Sequence, residues 1–461
     1  MKVSSPIIAS AEGRKPSSAQ TVLAKPIWQR LWRVLSKNHV IGWGDQAVVS
    51  ATSFLALVMI GRWTDPDQLG AYAIALSVLA LLLATQESLI TRPYAIQFHR
   101  PVGTSAEHAF NSLVLSFALS AVAMLLMAAM ALVLSAFGAP HQFVAMSWAL
   151  AGTIPFVLAR EFARRFAFAC LKMPRALLVD LAVAVLTIVA LAGLAWGGRL
   201  SAITALAAIG AACGIATVGW LYLARSEFAV QLRQVPATLQ QSWGLGKWFL
   251  SGQLALQAQG YATLWVTMAT AGATVTGIYT ACASIVGFAN PLLYGFFNVL
   301  TPKSVRTLKM EGGSGLRRQA AYDAVWLGLV MAAFCLLVFL VGEDIMSLLY
   351  RGVEYSGNGH VLAVLAVAAG AGAIGVPASI ALAAAERARP VAGFMIVTAA
   401  VNVVLVLALL PGWGLLGAAY GMLAAEVFGS LGRWIAFLLL VPGTEDLIEE
   451  HDLNLARSQE L

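Results

Sequence analysis

The chain has 461 residues, of which 60% are hydrophobic and only 11% are charged, and its mean hydropathy is +0.80. This composition excludes a soluble globular protein of this length and favours a polytopic helical membrane protein. The apolar runs last about twenty residues, which excludes the short alternating segments of a transmembrane barrel.

Twelve apolar runs along the chain are long enough to cross a membrane as helices. Their bounds are roughly 41–61, 71–91, 109–136, 143–163, 176–196, 201–223, 248–269, 275–298, 320–341, 361–384, 391–411 and 416–440. The predicted fold class is therefore an all-α polytopic membrane protein with twelve transmembrane helices.

Lysine and arginine are distributed very unevenly between the two sides of this topology. Of the 29 basic residues, 26 fall on the side that holds both termini, and only Arg62, Arg199 and Arg351 fall on the other. The positive-inside rule then predicts that both termini are cytoplasmic. This distribution also indicates that the net charge of +7 serves contact with anionic lipid, not with nucleic acid.

The chain divides into two tails, two helical lobes and a linker. Within the first tail, IWQRLWRVLSK (27–37) places its apolar residues on one helical face, which predicts an interfacial helix on anionic lipid. An ordinary basic juxtamembrane tail is the alternative. The predicted parts are a basic cytoplasmic tail (1–40), an N-terminal six-helix lobe (41–224), a cytoplasmic linker (225–247), a C-terminal six-helix lobe (248–440) and an acidic cytoplasmic tail (441–461).

The two halves of the chain resemble each other after a shift of 207 residues. Gln46 then falls on Gln253, and Gly70–Ala71–Tyr72 falls on Gly277–Ile278–Tyr279. Six helices in each half is an even number, so both halves have the same orientation in the membrane. The sequence therefore predicts two pseudo-symmetric lobes with the substrate path between them.

Each half carries a polar stripe on its first helix. Gln46, Ser50 and Ser53 lie on one helical face, and Gln253 and Gln257 lie on the equivalent face of the second half. Two facing stripes would line a wet central cavity, whereas interhelical hydrogen bonding is the alternative. The predicted cavity residues are Asp45, Gln46, Ser50, Gln86, Glu87, Arg92, Gln253, Gln257, Asn290 and Asn298.

Ionisable residues in membrane helices are costly and usually functional. Asp45, Glu87 and Arg92 are expected at similar depth near the cytoplasmic side, since the first helix enters from that side and the second returns to it. An Asp45–Arg92 or a Glu87–Arg92 ion pair is therefore predicted, and the sequence leaves both open.

A basic cluster ends the fourth helix. Arg160, Arg164 and Arg165 are candidates for a phosphate-entry site, because a guanidinium group can bind phosphate through two parallel hydrogen bonds. Anchoring at lipid headgroups is the alternative. The four cysteines and six histidines have no ligand-like spacing, so no metal site is predicted. No GxxxxGK[ST] loop is present, so ATP hydrolysis is not expected to power the protein.

Three stretches have the pattern of a known family: TDPDQLGAYAIALSVLALL (64–82), IMSLLYRGVEYSGNGHVLAVLAVA (345–368) and GLLGAAYGMLAAEVFG (414–429). They resemble polysaccharide flippases of the Wzx type, a branch of the multidrug/oligosaccharidyl-lipid/polysaccharide exporters, over roughly residues 40–440. The resemblance implies two six-helix lobes around a V-shaped central cavity that alternates between inward-open and outward-open forms. It also implies that cationic cavity residues, here chiefly Arg92, meet the pyrophosphate of the cargo.

The leading functional hypothesis is a flippase of the bacterial inner membrane. By the resemblance, it moves polyprenyl-pyrophosphate-linked oligosaccharide for exopolysaccharide, capsule or O-antigen synthesis. Its partners would be this cargo, membrane lipids and the polysaccharide polymerase and export machinery. No cofactor is expected, with H⁺ or Na⁺ left open as a coupling ion.

Two other functions stay open. A cation-coupled multidrug antiporter of the multidrug-and-toxin-extrusion branch would use Asp45 to bind H⁺ or Na⁺. A non-transporting scaffold would have a dry bundle, with Asp45 held in a salt bridge. An enzyme is not expected, because the longest outer loop, 342–360, is too short to carry acceptor chemistry.

Overall fold

The structure is a computed structural model that describes residues 38–98 and 103–442, and every regular element in these ranges is helical. The predicted interfacial helix lies outside the described residues, as does nearly all of the predicted acidic tail. Of Asn298 only the backbone is described.

Six helices form the N-terminal lobe. The second helix, α2, continues from Pro66–Gln86 through a π-helical turn, Glu87–Thr91, to a last segment, Arg92–Gln97. The others are α1 (Asn38–Trp63), α3 (Ser105–Ala136), α4 (His141–Ala169), α5 (Met173–Trp196) and α6 (Ala202–Ala224).

The C-terminal lobe contains three very long helical stretches, Val235–Val286, Asn290–Leu349 and Ala388–Leu440. Each contains one glycine with positive φ, a conformation that glycine adopts without a steric penalty. These are Gly272 (φ 83°), Gly312 (φ 70°) and Gly414 (φ 57°). The breaks define α7 (235–271), α8 (273–311, with a 3₁₀ turn at Gly287–Ala289), α9 (313–349), α11 (388–413) and α12 (415–440), and α10 comprises Gly359–Ile374 and Val376–Ala384.

The described part of the chain therefore contains the predicted twelve helices. Counted without the breaks at these glycines, they form ten helical stretches that are long and apolar enough to cross a membrane. The fold class is confirmed: an all-α, multi-pass membrane fold. More than half of the predicted 225–247 linker is helical, because α7 begins at Val235.

The same helix pairs pack in both lobes. In the N-terminal lobe α1 packs on α5, and α4 packs on α6. In the C-terminal lobe α7 packs on α11, where Asn402 donates to the hydroxyl of Thr263 at 2.9 Å. There α12 packs on α10, where Ser430 donates to the carbonyl of Ala371 at 2.6 Å.

The lobes touch most closely where α2 and α8 begin, on the side opposite the basic residues. A Cβ on Gly70 would overlap the carbonyl oxygen of Ala273, and a Cβ on Gly277 would overlap that of Pro66. The 207-residue shift relates Gly70 to Gly277 and Pro66 to Ala273. The two contacts are therefore equivalent, one from each half of the repeat. We call this crossing the outer closure.

Nearer the basic side, α1 and α8 meet through the rings of Phe54 and Phe288, whose centroids are 4.6 Å apart. Beyond these rings, Gln46, Ser50 and Asn290 are exposed. We call the exposed polar surface of these three residues the inner opening.

Candidate functional site

The π-helical turn of α2 brings two charges to one face. In a regular α-helix, residues five apart point about 140° away from each other. Here the N–H of Arg92 donates to the carbonyl of Glu87, five residues back, so the wider turn aligns the two side chains. Pro93 favours this turn, because its ring has no N–H and would clash with the carbonyl of Leu89 in an α-helix.

Glu87 is held between two arginines. Its Oε1 accepts from Arg92 Nη2 at 2.7 Å, and its Oε2 accepts from Arg165 Nη2 at 2.9 Å. The guanidinium of Arg92 also lies 5.1 Å from the centre of the Phe249 ring on α7, so this site borders the second lobe. Of the two ion pairs predicted for Arg92, the Glu87 pair is the one that the structure contains.

A cavity of about 250 Å³ opens beside Glu87, Arg92 and Arg165. Its other lining residues come from the same parts of α2 and α4: Thr91, Ala95, Phe168 and Ala169. The arginine side chains are each 37% exposed, so both guanidinium groups are accessible from the cavity. We call this place the arginine pocket.

Asp45 lies deeper and pairs with α4. It is fully buried, and its Oδ2 accepts from Arg164 Nη2 at 2.8 Å and from Arg164 Nε at 3.0 Å. Arg164 also forms an ion pair with Asp180 of α5 at 2.9 Å, and Asp180 pairs with Arg160 at 2.5 Å. Buried charges are stable only when matched in this way.

Glu161 joins the deep group to the arginine pocket. It pairs with Arg165 at 2.7 Å, with Arg160 at 3.2 Å and with Arg164 at 3.5 Å. The whole network contains equal numbers of acids and bases and is formally neutral: Asp45, Glu87, Glu161 and Asp180 with Arg92, Arg160, Arg164 and Arg165.

The three arginines predicted as phosphate-entry residues therefore differ. The side chains of Arg160 and Arg164 are only 13% and 10% exposed and are surrounded by carboxylates, so they hold α1, α4 and α5 together. Arg165 alone of the three reaches the arginine pocket.

The predicted polar residues of the N-terminal lobe also divide into buried residues that join helices and residues that are exposed. Gln86 is buried inside the lobe, where it donates to Ser116 Oγ at 2.6 Å and to the carbonyl of Leu158 at 2.9 Å. Its hydrogen bonds join α2 to α3 and α4. Gln46 is exposed, donates to Ser50 Oγ at 3.3 Å and accepts from Arg164 at 3.2 Å.

In the C-terminal lobe, Gln257 crosses the lobe boundary and donates to the carbonyl of Ala80 at 3.2 Å. Gln253 is half-buried on the same helix, and Asn290 is exposed at the start of the second part of α8. Asn298 lies outside the described side chains. The α1 stripe thus forms part of the inner opening, while part of the α7 stripe joins the lobes.

Sequence reasoning missed several buried polar residues. Asp180 was not singled out, although an acid within an apolar run is the signal that identified Asp45. The same signal was present at Glu426 of α12, which accepts from Gln259 at 3.1 Å and lies 3.9 Å from Arg433. Within the described residues, no group of three or more His, Cys, Asp or Glu side chains could hold a metal ion.

The sequence matches no protein-family model, and no curated protein matches it significantly. Solved structures match over most of the chain. An inward-facing multidrug resistance MATE family transporter of the MOP superfamily superposes with a TM-score of 0.71 at 14% identity, over 85% of this chain and 94% of that one.

An outward-facing transporter of the same description gives a TM-score of 0.58 at 15% identity, over 87% and 93% of the two chains. The lipid II flippase MurJ, in an inward closed conformation, gives 0.62 at 12% identity, over 85% and 86%. Identities this low show the fold alone. The chain is a multi-pass membrane protein with the fold of these transporters, and its outer closure agrees with the higher score against the inward-facing structure.

Proposed function

We propose that this protein is a flippase of the bacterial inner membrane. It moves polyprenyl-pyrophosphate-linked oligosaccharide units by alternating access, for exopolysaccharide, capsule or O-antigen synthesis. The observation that carries this proposal is the arginine pocket, where two accessible guanidinium groups from α2 and α4 converge at the boundary with the second lobe. A pyrophosphate group fits such a site, because guanidinium groups bind phosphate oxygens through paired, charge-assisted hydrogen bonds.

The remaining polar groups suit the sugar part of the cargo. The exposed amide of Gln46 and the amides of Gln253 and Gln257 both donate and accept, as sugar hydroxyls require. With both termini in the cytoplasm, the inner opening faces the leaflet where the cargo is made, and the polyprenyl tail stays in the lipid. The polymerase and export machinery are the proposed partners beyond the cargo and membrane lipids.

The second candidate is a cation-coupled multidrug antiporter. It is favoured by the fully buried Asp45 on α1, a carboxylate that could bind H⁺ or Na⁺. In this conformation Arg164 already neutralises Asp45, so a coupling ion must displace a buried guanidinium. That requirement places the flippase first.

The test uses cells that lack the protein. Their lipids are extracted, and undecaprenyl-pyrophosphate-linked oligosaccharide is measured together with the leaflet that holds it. The flippase proposal expects accumulation on the cytoplasmic leaflet, reversed by the wild-type chain but not by Arg92→Gln/Arg165→Gln. Arg199→Gln, on the outer side, is the matched control. New sensitivity to cationic dyes without accumulation would favour the antiporter, and neither effect would favour the scaffold.

A further inference from the structure

We infer that Glu87 is an internal stand-in for the anion of the cargo. It occupies the place between Arg92 and Arg165 that a phosphate or pyrophosphate group takes when the substrate binds. The identity of the cargo rests on the proposed function, whereas the anion site rests on the geometry of the arginine pocket.

The first argument is the bridging geometry. One carboxylate spans two guanidinium groups from different helices, giving each of its oxygens to a different arginine at 2.7 and 2.9 Å. This is also how two arginines hold a phosphate, which offers more oxygen acceptors and more negative charge than a carboxylate. A pyrophosphate can therefore compete with Glu87 for both arginines.

The second argument is the charge that remains when Glu87 leaves. Arg165 keeps Glu161, which accepts from its Nε at 2.7 Å and is itself fixed by Arg160 and Arg164. Arg92 has no other carboxylate partner among the described residues and keeps only the face of Phe249. Displacing Glu87 thus creates an unmatched positive charge that only another anion can balance.

The third argument is access. The pocket has a volume of about 250 Å³, and small residues, Ala95 and Ala169, form part of its wall. Glu87 is 20% exposed, so an incoming anion can approach the carboxylate and the two arginines together. The buried arginines of the network offer no such approach.

This arrangement gives Glu87 a role in the transport cycle. An unmatched guanidinium group in a membrane protein is costly. When the cargo leaves, Glu87 pairs with both arginines again and neutralises Arg92, so the empty carrier carries no excess charge here while it returns. Glu87 is thus a positioning residue that competes with the substrate, not a group that binds it.

The test is a titration of the purified full-length protein in nanodiscs of neutral lipid with inorganic pyrophosphate. Arg92→Gln and Arg165→Gln should each weaken binding about tenfold, because each removes a charge-assisted hydrogen bond. Glu87→Gln should tighten binding about tenfold, because it removes the competing charge. Glu87→Asp, whose shorter side chain cannot reach both arginines, should tighten it less, and Arg199→Gln should leave it unchanged.

A carboxylate with a purely structural role predicts the opposite sign for Glu87→Gln. Weaker or unchanged binding in a folded Glu87→Gln or Glu87→Asp protein would therefore overturn the inference. It would also be overturned if neither the wild type nor the two Glu87 variants bound pyrophosphate. If anionic phosphatidylglycerol in the nanodisc abolished pyrophosphate binding, the site would belong to bulk lipid headgroups. If pyrophosphate bound tightly with the expected variant effects, but cells that lack the protein accumulated no lipid-linked oligosaccharide, the anion site would be supported. Only the proposed cargo would then be wrong.

Discussion

Asp45 shows how one buried charge determines its surroundings. It is fully buried, and a carboxylate in that position requires a cationic partner. Arg164 supplies the partner from α4, and the same guanidinium also forms ion pairs with Asp180 and Glu161. The three helices α1, α4 and α5 are therefore joined by charge in a place where lipid provides no hydrophobic driving force.

Asp45→Asn is expected to destabilise the protein by about 3 kcal/mol, because it leaves Arg164 buried beside one carboxylate fewer. Thermal or denaturant unfolding of the purified protein in detergent measures this change. The double variant Asp45→Asn/Arg164→Gln restores equal numbers of acids and bases and should regain part of the loss. Asp65→Asn, at an exposed position, is the matched control.

A different result would change the functional assignment. If Asp45→Asn kept its stability and abundance but lost transport, Asp45 would be a coupling carboxylate, and the antiporter would become the leading function.

Single residues were predictable to the extent that their chemistry is unusual for a membrane. Asp45, Glu87 and Arg92 stood out because charges in apolar runs are rare, and the Glu87–Arg92 pair could be proposed from their depth. The partner of Asp45 could not be predicted, since it depends on which helices are neighbours. Arg164 and Asp180 come together only when α1, α4 and α5 pack.

The π-helical turn in α2 is a property of the element. The sequence predicted a span at 71–91, whereas the helix runs from Pro66 to Gln97. Helix propensity and hydropathy locate the apolar part, but they do not show that Pro93 continues the helix through a widened turn. That turn determines which face Arg92 occupies, so the arginine pocket could not be derived from helical periodicity.

Pro93→Ala is expected to restore an N–H donor and allow a regular α-helix from Glu87 onward. Glu87 and Arg92 would then point about 140° apart, and Arg92 would no longer share the Glu87 carboxylate with Arg165. Pyrophosphate affinity should fall several-fold in the same titration. Pro155→Ala, at a proline inside α4, is the control, and an unchanged affinity in Pro93→Ala would show that the turn does not position Arg92.

At the scale of the whole molecule, the internal repeat becomes a physical contact. The shift of 207 residues relates Gly70 to Gly277 and Pro66 to Ala273, and these four residues form the outer closure. The two-lobe fold and the twelve helices could be predicted, because hydropathy and charge distribution specify them. The conformation could not, since the proposed alternating access requires the same sequence to form an outward-open state as well.

Gly70→Val should prevent the outer closure, because its side chain would overlap the backbone of α8. The equilibrium should move towards an outward-open form. Spin labels at Arg199→Cys and Arg351→Cys, in the outer turns of the two lobes, should report a longer distance. Gly193→Val, at a glycine with open space around it, is the control, and an unchanged distance in Gly70→Val would contradict the closure.

The outer closure also contains a hydrogen bond between two residues at equivalent positions of the two halves. The Thr274 hydroxyl donates to the Asp67 carboxylate, and these residues are 207 positions apart. In a chain whose four native cysteines are replaced by serine or alanine, Asp67→Cys/Thr274→Cys should form a disulfide under oxidation. Because the proposed alternating access separates α2 from α8, transport should stop on oxidation and return on reduction.

Each single cysteine variant is the control and should be insensitive to oxidant. Transport at the full rate by the cross-linked double variant would show that α2 and α8 stay together throughout the cycle. The cargo would then cross by a path other than the one between the lobes.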